Sequence, residues 1–163
     1  LLFEHDSDGD GNIDSGSYHS YDVNGNLTSE SADTDGDGAI DWSKIYTYEV
    51  NGNETYYEYD NDGDGQPNYI QIQAYNADGQ LLLLEVDSNG NGSINTGDYY
   101  TYDGNGNLTS ETADTDGDGQ IESGIYWTYD VNNNLVHFAE DTDGDGQMNY
   151  IEEMTYLSGQ CGP

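Results

Sequence analysis

Six aspartates, Asp6, Asp33, Asp60, Asp87, Asp114 and Asp141, stand 27 residues apart with no insertion between them. A strict internal period constrains a fold more than any local signal, because every unit must pack on its neighbours in the same way. Each aspartate opens a nine-residue segment: DSDGDGNID, DTDGDGAID, DNDGDGQPN, DSNGNGSIN, DTDGDGQIE and DTDGDGQMN. The repeats are residues 6–32, 33–59, 60–86, 87–113 and 114–140, with a partial repeat at 141–163 and a strand end at 1–5. Together they read as a single array over 1–163.

Between the segments runs a tyrosine column, Tyr21, Tyr48, Tyr75, Tyr102, Tyr129 and Tyr156. Turn dipeptides follow it: Asn24-Gly25, Asn51-Gly52, Asp78-Gly79, Asn105-Gly106 and Asn132-Asn133. Such pairs favour positive φ at both positions and predict two-residue type I′ hairpins. Their flanks are rich in Tyr, Thr, Ile and Val, which suit strands, and no helical period persists. The expected fold class is all-β: tandem 27-residue β-hairpin repeats forming a calcium-stabilised meander or solenoid-like array. A two-residue turn would place the tyrosines opposite Thr28, Thr55, Leu82, Thr109 and Val136. It would also set His19, Tyr46, Gln73, Tyr100 and Trp127 opposite Glu30, Tyr57, Leu84, Glu111 and Phe138. Both faces are half apolar, so the meander is expected to coil or to pack against itself.

The 163 residues include 34 acidic residues against a single basic one, Lys44, for a formal charge of −33. A field of this sign repels nucleic-acid phosphates and anionic membranes, so neither is an expected partner. Only 33% of residues are hydrophobic, a mix that stays disordered unless its charge is neutralised. Multivalent cations are the natural counter-charge. There is no apolar run long enough for a membrane-spanning helix, so no membrane insertion is expected. The lone Cys161 rules out a disulfide framework. Without an initiator Met, the sequence reads as a processed or excised piece of a secreted precursor.

Calcium takes six to eight hard oxygen ligands in tolerant geometries. The segments supply side-chain oxygens at positions 1, 3, 5 and 9, and position 7 can supply a backbone carbonyl. The candidate ligands of the first loop are Asp6, Asp8, Asp10, Asn12 and Asp14; those of the second are Asp33, Asp35, Asp37, Ala39 and Asp41. The third offers Asp60, Asp62, Asp64, Gln66 and Asn68, and the fourth Asp87, Asn89, Asn91, Ser93 and Asn95. The fifth offers Asp114, Asp116, Asp118, Gln120 and Glu122, and the sixth Asp141, Asp143, Asp145, Gln147 and Asn149. Up to six calcium ions are expected, the fourth site being weakest because only Asp87 is charged there. An EF-hand needs an acid at position 12 and flanking helices; position 12 is Ser17, Lys44, Gln71, Asp98, Ile125 and Glu152, so that alternative fails in four of six loops.

The loop spacing D-x-D-x-D-G-x-x-D resembles the calcium loops of integrin α-subunit and FG-GAP blades, which implies calcium coordination but not a propeller. The segments YTYDGNGNLTSE and YHSYDVNGNLTSE resemble the YD repeats of Rhs-type toxins and teneurins, which implies spiralling arrays of β-hairpins.

His5, His19 and His137 occupy different repeat columns and form no ligand motif, and no nucleophile or phosphate-loop motif occurs, so no enzyme activity is expected. N-x-S/T sequons stand at Asn26, Asn53, Asn91 and Asn107. The expected role is a calcium-binding structural protein outside the cell or on its surface: a self-assembling filament, stalk or matrix component. In that reading unpartnered strands at the two ends pair head to tail with other copies, with Cys161 near the joint. The alternative is a calcium-dependent adhesin or carbohydrate-binding module that uses its tyrosines.

Overall fold

The computed structural model describes residues Leu1–Tyr156; Leu157 and Cys161 lie outside them. The described chain is all-β, built from tandem 27-residue hairpin repeats. Its strands are β1 (Leu2–His5), β2 (Ser15–Tyr21), β3 (Leu27–Asp33), β4 (Trp42–Tyr48), β5 (Glu54–Asp60), β6 (Tyr69–Tyr75), β7 (Leu81–Asp87), β8 (Thr96–Tyr102), β9 (Leu108–Asp114), β10 (Ser123–Tyr129), β11 (Leu135–Asp141) and β12 (Tyr150–Glu153). The chain divides into two compact units, Leu1–Asn95 and the remainder from Thr96. In the first, β1 to β7 lie side by side in sequence order; in the second, β8 to β12 do the same.

The strand interiors take the expected register. His19 faces Glu30, Tyr46 faces Tyr57, Gln73 faces Leu84, Tyr100 faces Glu111 and Trp127 faces Phe138. Aromatic pairs form across the strands: Tyr46–Tyr57 at 5.3 Å and Tyr57–Tyr69 at 5.9 Å between ring centroids in the first unit, and Trp127–Phe138 at 6.2 Å in the second. Tilted and edge-on pairs like these are the unit of sheet stabilisation. Some irregularity between repeats is compensated locally. The glycines of β8 and β10 let a tyrosine two residues on lie across the backbone: a Cβ on Gly97 or Gly124 would come within 2.7 Å of the hydroxyl of Tyr99 or Tyr126. β4 and β6 carry Ser43 with Ile45, and Ile70 with Ile72, in the same two columns.

The turns differ from the expected type I′. In the first hairpin, Asp22 N–H donates to Asn26 O (2.9 Å) and Gly25 N–H donates to Asp22 O (3.1 Å). Gly25 has φ 90°, whereas Asn133 is the one non-glycine residue with positive φ among the described residues. Asn24 and its counterparts are therefore right-handed, and each loop is a type I turn closed by one left-handed residue. In four of the five hairpins a supporting clasp lies just before the dipeptide; in the second, Glu49 Oε1 accepts instead from Asn53 Nδ2 (2.6 Å). Asp22 Oδ1 accepts from the N–H groups of Asn24 (2.8 Å) and Asn26 (2.9 Å), and its Oδ2 from Asn26 Nδ2 (2.9 Å). Asp103 and Asp130 repeat this clasp on Asn107 and Asn134. A side chain that satisfies two turn N–H groups favours the type I geometry over its mirror image.

One extra residue then bulges out on the return strand, shifting the register by one. Tyr21, Tyr48, Tyr75, Tyr102 and Tyr129 consequently face Leu27, Glu54, Leu81, Leu108 and Leu135, not the expected Thr28, Thr55, Leu82, Thr109 and Val136.

Among the described residues each unit is a single sheet layer, and the expected packing of the meander against itself is not found within either one. Ala32 and Ala139 are the buried hydrophobic residues among those described, while five aspartates, Asp33, Asp60, Asp87, Asp114 and Asp141, are buried. Burying a carboxylate is costly without compensating donors or cations, and this inversion of the usual core directs attention to those residues.

Candidate metal centre

The buried aspartates occupy position 1 of the loops and are also the last residues of β3, β5, β7, β9 and β11. Strand pairing fixes their backbone: Asp33 faces Gly16, Asp60 faces Ser43 and Asp87 faces Ile70, while in the second unit Asp114 faces Gly97 and Asp141 faces Gly124. Each carboxylate then collects backbone donors from its own loop. Asp60 Oδ1 accepts from Gly63 N–H and Oδ2 from Gly65 N–H, both at 2.8 Å. Asp6, Asp33, Asp114 and Asp141 accept from the glycines at positions 4 and 6 in the same way, at 2.6–2.9 Å.

Positions 3 and 5 form a ladder of short Asx turns. Asp8 Oδ1 accepts from Asp10 N–H (3.0 Å), and Asp10 Oδ1 accepts from Asn12 N–H (2.8 Å). Position 7 takes part through its N–H in every loop: Ala39, Gln66, Ser93, Gln120 and Gln147 donate to position 5 at 2.8 Å, as Asn12 does. These turns bring oxygens together. In the groups Asp6–Asp8–Asp10, Asp33–Asp35–Asp37, Asp60–Asp62–Asp64 and Asp141–Asp143–Asp145, one oxygen of each member lies within 4.8 Å of the others. Asp114, Asp116, Asp118 and Glu122 form a group of four by the same measure.

Position 9 has a second use. Its side chain reaches across the loop to the N–H of position 2: Ser7 to Asp14 (2.7 Å), Thr34 to Asp41 (2.6 Å), Asn61 to Asn68 (2.7 Å), Ser88 to Asn95 (2.7 Å), Thr115 to Glu122 (2.7 Å) and Thr142 to Asn149 (2.5 Å). The hydroxyls of Ser7 and Thr34 bond to the same carboxylates. Asp14 and Asp41 thus close their loops and stand outside the carboxylate groups, while Glu122, one methylene longer, closes its loop and also joins its group. The fourth loop keeps the scaffold without the charge. Asn89 Oδ1 accepts from Asn91 N–H (3.1 Å), Asn91 Oδ1 from Ser93 N–H (2.8 Å) and Asp87 Oδ2 from Gly92 N–H (2.7 Å).

These donors set the charge state. Burial pushes the Asp60 carboxyl up, but the N–H groups of Gly65, Asp62 and Gly63 outweigh it and hold its pKa below the ordinary 3.8. Burial likewise raises Asp87, Asp114 and Asp141, and backbone donors led by Gly92, Gly119 and Gly146 bring each below its usual value. The hydroxyl and N–H of Ser7 lower Asp14, and those of Thr34 lower Asp41. The donors thus favour the charged form of Asp14, Asp41, Asp60, Asp87, Asp114 and Asp141.

Successive loops touch. A Cβ on Gly36 would lie 2.4 Å from Ile13 O, on Gly63 2.0 Å from Ile40 O, on Gly90 1.7 Å from Pro67 O and, in the second unit, on Gly144 2.2 Å from Ile121 O. Position 4 of one loop thus rests on the position-8 carbonyl of the loop before it.

The donor set consists of carboxylate and amide oxygens, with no thiol or imidazole in the loops, and suits a hard divalent cation. An ionised carboxylate has about four lone-pair directions. Asp6 and Asp33 accept two N–H bonds and Asp60, Asp114 and Asp141 three, which leaves each at least one lone-pair direction for an ion, so the five acidic groups could each hold one.

No protein family matches the chain, and neither does any curated protein. Among solved structures, 31 chains match. One belongs to "Crystal Structure of TcdB2-TccC3-TEV", with 17% identity, a TM-score of 0.46, and coverage of 86% of this chain but 9% of that one.

Proposed function

We propose that this protein is a calcium-binding structural repeat that works outside the cell, each acidic loop held by a calcium ion at its strand end. The observation that carries this reading is the convergence of three or four carboxylate oxygens within 4.8 Å in five loops of a chain with one lysine. Calcium accepts irregular sets of carboxylate and carbonyl oxygens, whereas magnesium demands near-octahedral geometry and sheds water reluctantly. The loop spacing shared with integrin α-subunit loops and the hairpin motif shared with YD repeats agree with a cation-stiffened hairpin array. Millimolar calcium outside cells suits modest sites of this kind, which supports an extracellular or surface location. Head-to-tail assembly belongs to the same proposal.

Native mass spectrometry tests the reading. Five calcium ions are expected to bind first, with a sixth, on the Asp87 loop, at least about tenfold weaker because ligand charge tunes affinity. Magnesium at equal concentration should leave the calcium count unchanged. Six equivalent sites, or no retained calcium, would overturn the assignment.

A further inference from the structure

A cleft of about 480 Å³ opens on the face of the first unit beside the third loop. Tyr57 and Tyr59 of β5 line it together with Tyr69 and Gln71 of β6, and Asn61, Asn68 and Ser88 form its rim. The chain carries 34 acidic residues, yet none lines this cleft. A second cleft, in the other unit, is lined by Asp98, Glu111, Glu140 and Asp141, and a third, beside β1, by Glu4 and Asp33.

The tyrosine pair is particular to this place. Where β5 has Tyr57 and Tyr59, β3 has Glu30 and Ala32, β7 has Leu84 and Val86, β9 has Glu111 and Ala113, and β11 has Phe138 and Glu140. Position 2 of the loops is Ser or Thr everywhere except at Asn61. No other strand carries tyrosine at either position. The rings are fixed. Tyr57 packs edge-on to Tyr69 at 5.9 Å, and the ammonium of Lys44 lies 5.6 Å from the centre of the Tyr59 ring. Tyr69 Oη donates to Gln71 Oε1 (3.1 Å), and Asn61 N–H donates to Asn68 Oδ1 (2.7 Å), so the amides are oriented as well.

We propose that this cleft binds a neutral saccharide. Rigid tyrosines offer apolar faces to the C–H side of a pyranose, and amides and hydroxyls at the rim match its hydroxyl groups. The strongly negative charge of the chain disfavours uronates and other acidic sugars, and a cationic peptide would want the carboxylates that this cleft lacks. The inference does not depend on which cation the loops hold.

The test is binding of a panel of neutral hexasaccharides (β-1,4-glucan, α-1,4-glucan, β-1,3-glucan, mannan, xylan and chitin) and of polygalacturonate, in millimolar calcium. At least one neutral member is expected to bind below about 1 mM and polygalacturonate is not. The double variant Tyr57→Glu/Tyr59→Ala restores the residue pair of β3 and β9, which the sheet already accommodates, and should weaken binding at least about tenfold. Asn61→Thr, which restores the loop column, should weaken it several-fold without altering the circular dichroism. The proposal is overturned if no neutral member binds, if the acidic polymer binds equally, or if folded variants bind as the parent does.

Discussion

Removal of divalent cations is expected to abolish the β-sheet circular dichroism of this chain at neutral pH. Within each acidic loop, carboxylate oxygens lie within 4.8 Å of one another. At that distance each pair repels by about 1 kcal/mol in water and about 3 kcal/mol at the effective dielectric of a protein surface. Neighbouring loops are two strand spacings apart, roughly 10 Å, about one Debye length at physiological salt, so their charges are only partly screened from each other. Little opposes this repulsion, because Ala32 and Ala139 are the buried hydrophobic residues among those described. An ion at 100 times its Kd contributes about 2.7 kcal/mol per site. Five such loops would supply about 13 kcal/mol, comparable to the whole stability of an ordinary domain. Binding energy is then folding energy. Chelator should convert the spectrum to that of a disordered chain, and excess calcium should restore it. Sheet signal unchanged in excess chelator would contradict the account.

Gly63→Ala is expected to destabilise the calcium-loaded protein by about 2–5 kcal/mol, and Gly65→Ala by only about 1–2 kcal/mol. The two glycines share the left-handed conformation, with φ 68° and 83°, so both substitutions carry the steric cost of that region. They differ in surroundings. A Cβ at Gly63 would lie 2.0 Å from Ile40 O, a backbone atom that cannot swing aside, whereas nothing lies within 4 Å of one at Gly65. The third loop would have to lift off the second by roughly 1 Å, losing strand-end hydrogen bonds; overpacking of this kind costs about 1–3 kcal/mol beyond the φ penalty. Thermal or denaturant unfolding of the two variants in millimolar calcium measures the difference. Equal losses would mean that the loops do not bear on one another.

Much of this architecture is legible in the sequence because the period repeats each signal. The all-β class, the strand interiors and the carboxylate clusters at positions 1, 3 and 5 follow from six aligned copies in which chance alternation averages out. Features that depend on contacts between columns are not legible in the same way. The turn dipeptides point to a type I′ turn only while the residue two before them is ignored; Asp22, Asn76, Asp103 and Asp130 clasp the following N–H groups in type I turns, and the bulge beyond each turn changes the partners of Tyr21, Tyr48, Tyr75, Tyr102 and Tyr129. The flanking acid or amide, paired with Asn or Gln four residues on, was the signal that could have revealed it. Position 9 presents a ligand-like oxygen in all six loops, and its hydrogen bond to position 2, as of Asp14 with Ser7 and of Asp41 with Thr34, couples two columns and is not visible in either alone. The glycine at position 4 reads as a turn residue, and its second task, admitting the carbonyl of the preceding loop, exists only once the repeats stack.

The most direct measurement of the central claim is a crystal structure grown in millimolar calcium, with anomalous diffraction recorded to locate the ions. The account predicts an anomalous peak in each of the five carboxylate groups, about 2.3–2.6 Å from oxygens of positions 1, 3 and 5. It predicts the Asp87 loop to hold the weakest peak. Ordered sheet with no anomalous peak at the aspartate loops would contradict it.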